Sequence, residues 1–146
     1  MPRLLVVHHT PSPAMQALLE AVREGAALAE GVELEVRPAL SAGAADLLAA
    51  DGVVLGTPAN IGYMSGALKH FFDTVYYPCL DATVGLPFGV YVHGNDDTAG
   101  ALTGIQKITG GMRWKQVAAP VSIVGAPGPD DLEACRELAA TVAVQL

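Results

Sequence analysis

Short apolar runs alternate along this chain with longer segments whose apolar residues recur every three or four positions, and that alternation narrows the possible folds more than any other feature. The runs cover residues 4–7, 32–36, 53–55, 88–92 and 117–124. Between them, Met15, Leu18, Leu19, Val22 and Ala26 form one helical stripe, and Leu68, Phe71, Phe72 and Val75 form another. The pattern also predicts a helix over 98–108 that stops at Gly110-Gly111, and one from Asp130 or Asp131 through Leu132, Cys135, Leu138 and Val142. A short helix is expected near 44–50. Strands that alternate with helices in this way form a parallel sheet with crossover helices on both faces, a three-layer α/β sandwich. With 146 residues and no repeat or linker, one domain over 1–146 is expected.

The chemistry of the runs orders the strands. In VELEVRP, Val32, Leu34 and Val36 alternate with Glu33, Glu35 and Arg37, so part of that strand must meet water and it belongs at an edge. The last run carries Pro120, which has no N–H for a ladder and is confined to edges or bulges, so it marks the other edge. The runs LLVV, VVL and FGVYV are apolar on both faces, as central parallel strands are. With right-handed crossovers, the simplest arrangement is a five-stranded parallel sheet in the order 2-1-3-4-5.

Charge and composition exclude several classes of function. Fifteen acidic against eight basic residues give a net charge of −7, which disfavours nucleic acid and anionic membrane as partners. No apolar run approaches the roughly 20 residues of a membrane span. Met1-Pro2-Arg3 leads directly into the first apolar run without the layout of a signal peptide, and a cytoplasmic location is expected. Cys79 and Cys135 have no C-x-x-C or metal-ligand spacing and fit buried thiols in a reducing compartment.

In an open sheet of this order, ligands bind beyond the carboxyl ends of the central strands, where the strand order reverses. Three loops are selected: 8–14, 57–64 and 93–98. The first enters a helix through hydroxyls and prolines, the second (TPANIGYMSG) is uncharged and carries an aromatic, and the third (HGNDDT) is small and polar. A phosphate at the first, a flat apolar ring against the second and polar ring edges or ribityl hydroxyls between them describe a flavin mononucleotide, FMN. Its redox chemistry needs no acid, base or nucleophile from the protein, and no catalytic residue is assigned.

Two stretches carry a resemblance. VVHHTPSPAMQALLEAVREGA is similar in spacing to the strand, phosphate loop and first helix of the flavodoxin-like superfamily. GTPANIGYMSGALKHFFD is similar to the P-x-x-x-G-x-M-S-G flavin loop of its NAD(P)H-dependent FMN reductases and of the tryptophan-repressor-associated NAD(P)H:quinone oxidoreductases. The resemblance implies a flavodoxin-like fold, FMN as cofactor, NAD(P)H as electron donor and a quinone or other small molecule as acceptor. It places Thr10 and Ser12, with Pro13 and the backbone of Ala14 and Met15, at the phosphate. Pro58, Ala59, Asn60, Ile61, Gly62, Tyr63 and Met64 would line the ring. His93, Gly94, Asn95, Asp96, Asp97 and Thr98 would form the third loop. The chain departs from the family where Pro13 and Ala14 replace the usual glycine or asparagine, and where Asn95-Asp96-Asp97 replaces glycines.

Plainer readings stand beside these. His8 and His9 are neighbours at a strand end and point to opposite faces, so no metal site is assigned. Tyr63 reads either as a flavin neighbour or as an ordinary surface aromatic. Asp96 and Asp97 read first as caps of the helix that begins near Thr98. Tyr76, Tyr77 and Pro78 read first as packing, with a homo-oligomer contact as the alternative. Lys107, Arg113, Trp114 and Lys115 read as a solvated face at the amino end of the sheet. Two alternatives to the reductase stay open: a flavodoxin-type electron carrier without NAD(P)H activity, and a flavodoxin-fold protein that has lost FMN.

Overall fold

A computed structural model describes residues 1–146. The chain runs β1 (Arg3–His8), α1 (Pro13–Ala27), β2 (Glu33–Pro38), α2 (Ala44–Leu48), β3 (Gly52–Asn60), β4 (Tyr63–Met64), α3 (Gly66–Cys79), β5 (Pro87–Gly94), α4 (Ala99–Gly111), β6 (Lys115–Gln116), β7 (Val121–Val124) and α5 (Pro129–Ala143). β2, β1, β3 and β5 lie side by side and parallel, and β6 and β7 both pair with the outer edge of β5. Taking β6 and β7 as the fifth expected strand, the order 2-1-3-4-5 holds, and the fold is flavodoxin-like.

The sheet has seven strands rather than five, for two local reasons. The last run is broken between β6 and β7, where Pro120 can donate nothing to the ladder. β4 is new: it folds back antiparallel on β3 through Asn60↔Tyr63 and Ala59↔Met64, inside what reads in sequence as a loop. β2 is half-buried along most of its length, as its alternation requires of an edge.

Alternating side chains divide the core. Leu5, Val7, Val53, Leu55, Val90 and Val92 face α2, α3 and α4, whereas Leu4, Val6, Val54 and Tyr91 face α1 and α5. Trp114 belongs to the first of these cores, which corrects its placement on a solvated face. It is buried, its rings lie against Phe72 and Phe88, and its indole N–H donates to Thr83 Oγ1 at 2.9 Å. Lys107, Arg113 and Lys115 are exposed. Tyr76 meets Gly111, whereas Tyr77 is 81% exposed and packs edge-on against the Tyr76 ring at 5.1 Å. Both cysteines are buried and free, and burial pushes the Cys135 thiol up to about 12. No helix is long and apolar enough to cross a membrane.

One close approach ties the two halves of the sheet together. Tyr91 is fully buried and lies over Gly56 of β3, where a Cβ would come within 2.0 Å of its ring and 2.2 Å of its hydroxyl. Burial raises the phenol's pKa, and the hydroxyl finds no partner. Gly56→Ala should therefore lower the stability read from urea unfolding by about 1–3 kcal/mol of overpacking. Tyr91→Leu in the same chain should recover part of that loss. An unchanged midpoint in the single variant would show that the ring moves aside freely.

Candidate functional site

β1 leaves the sheet at His8, and Ser12 then adopts an extended conformation (φ −142°, ψ 160°) that caps α1. Its Oγ accepts the Met15 N–H at 3.2 Å, and its carbonyl accepts the Gln16 N–H at 3.0 Å. Pro13 occupies the first helical turn, where an N–H has no intrahelical partner and none is lost. The amides of Thr10, Ser12 and Ala14 find no acceptor in the protein. The amides of Ser12 and Ala14 thus stand at the positive end of a 15-residue helix, an arrangement that can hold anions without a cation.

Thr10 turns the other way. Its hydroxyl shares a 2.7 Å hydrogen bond with Nδ1 of His8. Burial, with the charge of Arg23 and the neighbouring His9, holds His8 below the usual histidine range, so its ring is neutral at pH 7. The His9 amide donates to the Gly56 carbonyl at 3.0 Å, and its Nδ1 is buried without a partner. These three residues line a separate cleft of about 250 Å³ with Pro38, Ala39, Leu40 and Ala67.

The second loop is a tight hairpin. Thr57 Oγ1 accepts the Ser65 N–H at 3.0 Å, and Ser65 Oγ accepts the Leu68 N–H at 3.2 Å, which starts α3. Between β3 and β4, Ile61 (φ 50°) and Gly62 (φ 75°) are both left-handed, as a two-residue type I′ turn requires. Ile61 is β-branched, so this conformation strains it, and it stands fully exposed at the tip. Gly62 rests on α4: a Cβ at Gly100 would meet its carbonyl oxygen at 1.8 Å. Tyr63 lies over Gly104, with its ring on α4.

The third loop follows β5. Gly125 N–H donates to the Gly94 carbonyl at 2.9 Å, and His93 Nε2–H donates to the Gly125 carbonyl at 2.8 Å, so the end of β7 buttresses it. Thr98 is buried against the Ser122 hydroxyl. Asp97 Oδ1 accepts the Ala99 N–H at 2.9 Å and so caps α4, the role expected of it. The amides of Asn95, Asp96, Asp97 and Thr98 have no protein acceptor.

The three loops meet. Ser12, Pro13 and Ala14 line a cleft of about 310 Å³ with Pro58, Ala59, Asn60, His93, Gly94 and Asn95. It adjoins a second hollow of about 380 Å³, which shares Ala59 and Asn95 and adds Ile61, Gly62, Asp96 and Asp97. Thr10 lies outside both, Met15 and Met64 are in the core, Thr98 is buried at Ser122, and Tyr63 lies on α4. Sequence reasoning missed Pro11, which lines the cleft, and Gly100, which carries the hairpin. Only the spacing of small residues in TAGALTG hints at the latter. Free amides at a helix start, a small-residue cradle and two asparagines fit the phosphate, ring and polar edge of FMN.

Known proteins resemble this chain in sequence and in fold. Residues 27–127 match the family described as NADPH-dependent FMN reductase. Over 75 residues, 51% of this chain, the sequence is 37% identical to a flavodoxin of Aquifex aeolicus. Over 93 residues it is 29% identical to an NAD(P)H dehydrogenase (quinone) of Acidithiobacillus ferrooxidans, a match covering 50% of this chain. The matched stretches make up 40% and 46% of those two proteins, so the chain spans less than half the length of the curated relatives it matches. A WrbA-like flavodoxin of Agrobacterium tumefaciens superposes with a TM-score of 0.79 at 22% identity, over 99% of this chain and 97% of that one.

Two expectations follow from the loops. Replacing Ser12 by alanine should cost about 1 kcal/mol of stability through the lost cap. It should also weaken FMN far more than riboflavin, which has the same ring without the phosphate; equal losses in flavin titrations would place the phosphate elsewhere. Ile61→Asn should stabilise the flavin-free protein by up to about 1 kcal/mol of relieved left-handed strain, read as a higher thermal midpoint. The same variant should weaken FMN several-fold if the exposed tip covers the ring, and calorimetry with FMN reads both effects.

Proposed function

The chain belongs to the NADPH-dependent FMN reductase family, and from that premise we propose that residues 1–146, as one flavodoxin-like domain, bind FMN and pass electrons from NAD(P)H to a quinone or another small-molecule acceptor. The observation that carries this reading is the meeting of three carboxyl-end loops at a cleft whose anion donors would be the unpartnered amides of Ser12 and Ala14. Those amides and the α1 dipole would hold the phosphate. Pro58, Ala59 and Ile61 would cover the ring and exclude water, and Asn60 and Asn95 would meet its polar edge. When bound, FMN supplies the acceptance of a hydride and the release of its electrons to the acceptor. The protein's share is position, since donor and ring must meet in one cleft. The quinone rests on the name of the Acidithiobacillus relative, and the cytoplasm fits two free, buried thiols.

Flavodoxin-type electron carriage is the second reading, and the 37% identity to the Aquifex flavodoxin favours it. One experiment separates the two. The purified protein should turn yellow with added FMN, and anaerobic NADH or NADPH should bleach the flavin within the time of turnover. Slow or absent bleaching with both donors would leave the carrier, and a protein that stays colourless would remove both readings.

A further inference from the structure

His93 stands on the same face of the sheet as the start of α1. Tyr91, two residues before it, packs among the side chains of α1 and α5, and side chains two apart on a strand share a face. Ile123, level with His93 on β7, belongs to the same core. The residue is 8% exposed and lines the cleft with Ser12, Pro13 and Ala14. Its Nε2 lies 2.8 Å from the Gly125 carbonyl, which can only accept, so Nε2 keeps its hydrogen in both charge states of the ring. Nδ1 is therefore the atom that gains or loses a proton. It has no partner in the protein and, unlike His9 Nδ1 and the Tyr91 hydroxyl, it is not sealed from solvent, so it opens on the cleft.

Few charges face this ring. No lysine or arginine lines the cleft, and neither the first loop nor the end of β3 brings a charged side chain to it. From the third loop, Asp96 and Asp97 line the adjoining hollow, and both are exposed. On the α5 side, Asp130 and Asp131 follow Gly125, but neither lines the cleft, and Asp131 takes the Gly128 N–H at 2.8 Å. The Tyr91 phenol keeps its proton, because burial raises its pKa. A phosphate monoester carries close to two negative charges at about pH 7. The amides of Ser12 and Ala14 and the α1 dipole offer only partial charges against them, and a charge left uncompensated in a cleft is costly. A proton held between a phosphate oxygen and Nδ1 removes one of the two. We propose that His93 shares a proton with the FMN phosphate through Nδ1, so that the cleft takes up that proton from solvent when FMN binds; the proposal rests on the FMN reading above. Whether the phosphate O–H donates to a neutral ring or Nδ1–H donates to the phosphate, the count is one proton.

Calorimetric titration of the flavin-free protein, repeated in buffers of different ionisation enthalpy, counts the protons. FMN should bind at about pH 7 with uptake of a substantial fraction of a proton, and riboflavin with none. The proton is held in the complex and lost from it as the pH rises, so FMN affinity should fall several-fold from about pH 6 to about pH 9 while riboflavin affinity stays level. His93→Gln has no titrating atom. It should abolish the uptake and weaken FMN several-fold at about pH 6 but hardly at about pH 9, and leave riboflavin binding unchanged. A histidine that only braces the loop would instead weaken both flavins at every pH. Nitrogen NMR of the imidazoles in the wild-type protein needs no variant: FMN, and not riboflavin, should shift the Nδ1 resonance of His93. An unmoved resonance, no uptake with FMN, equal uptake with riboflavin, or uptake that persists in His93→Gln would each overturn the proposal and leave FMN binding in place. If neither flavin binds, the FMN reading falls and takes the proposal with it.

Discussion

Helices cover β1, β3 and β5 on both faces, so the polar groups of these strands must pair sideways within the sheet, and the chain can turn polar only at the strand ends. Leu4 to Val7 and Val53 to Leu55 have no solvent exposure at all. Their parallel register brings His8 level with Gly56, Gly56 level with Tyr91, and Pro58 level with His93. The three loops of the cleft therefore leave the sheet from one edge at nearly one level, and their meeting follows from strand pairing. Gly56 is the point where this arrangement is tightest, because it must leave room for Tyr91 while its carbonyl takes the His9 amide.

Above that level the site depends on backbone more than on side chains. The amides of the first and third loops are free, and the second loop is a two-residue hairpin with a strained isoleucine at its tip. Left-handed conformation at a residue with a Cβ costs about 1–2 kcal/mol. Here the surroundings hold it: β3 pairs with β4, Gly62 lies on Gly100, and Tyr63 lies on Gly104. Strain that packing maintains at a ligand cleft marks a place where shape is kept for binding rather than for stability.

Electrostatics divides the cleft. The α1 end would attract an anion through its dipole and the free amides of Ser12 and Ala14, whereas at the α4 end Asp97 already takes the Ala99 N–H. One anion-favouring helix start beside one acidic rim would let a chain of net charge −7 hold a phosphate without a nearby cation. On the side of the first loop away from the cleft, the neutral His8 ring holds the Thr10 hydroxyl.

Periodicity, with Pro120 and the right-handed crossover rule, determined the sandwich, the strand order and the loops that would carry the site, because burial on both faces, burial on one face and helical burial each leave a different spacing of apolar residues. Pro120 also marked its own strand as broken or at an edge. The capping role of Asp97 was legible because acidic residues before a helix have few other uses. What could not be read locally depended on partners distant in sequence. Trp114 sits among charged residues but finds Thr83, Phe72 and Phe88 across the core. Residues 63–64 become a strand only because β3 runs past its last partners in β1 and β5, leaving Ala59 and Asn60 free to pair with them. Thr10 and Tyr63 have the composition of ligand-binding residues, yet His8 and Gly104 determine which way they point. Spacing along a chain records how much of each residue is buried, and only tertiary structure decides against what.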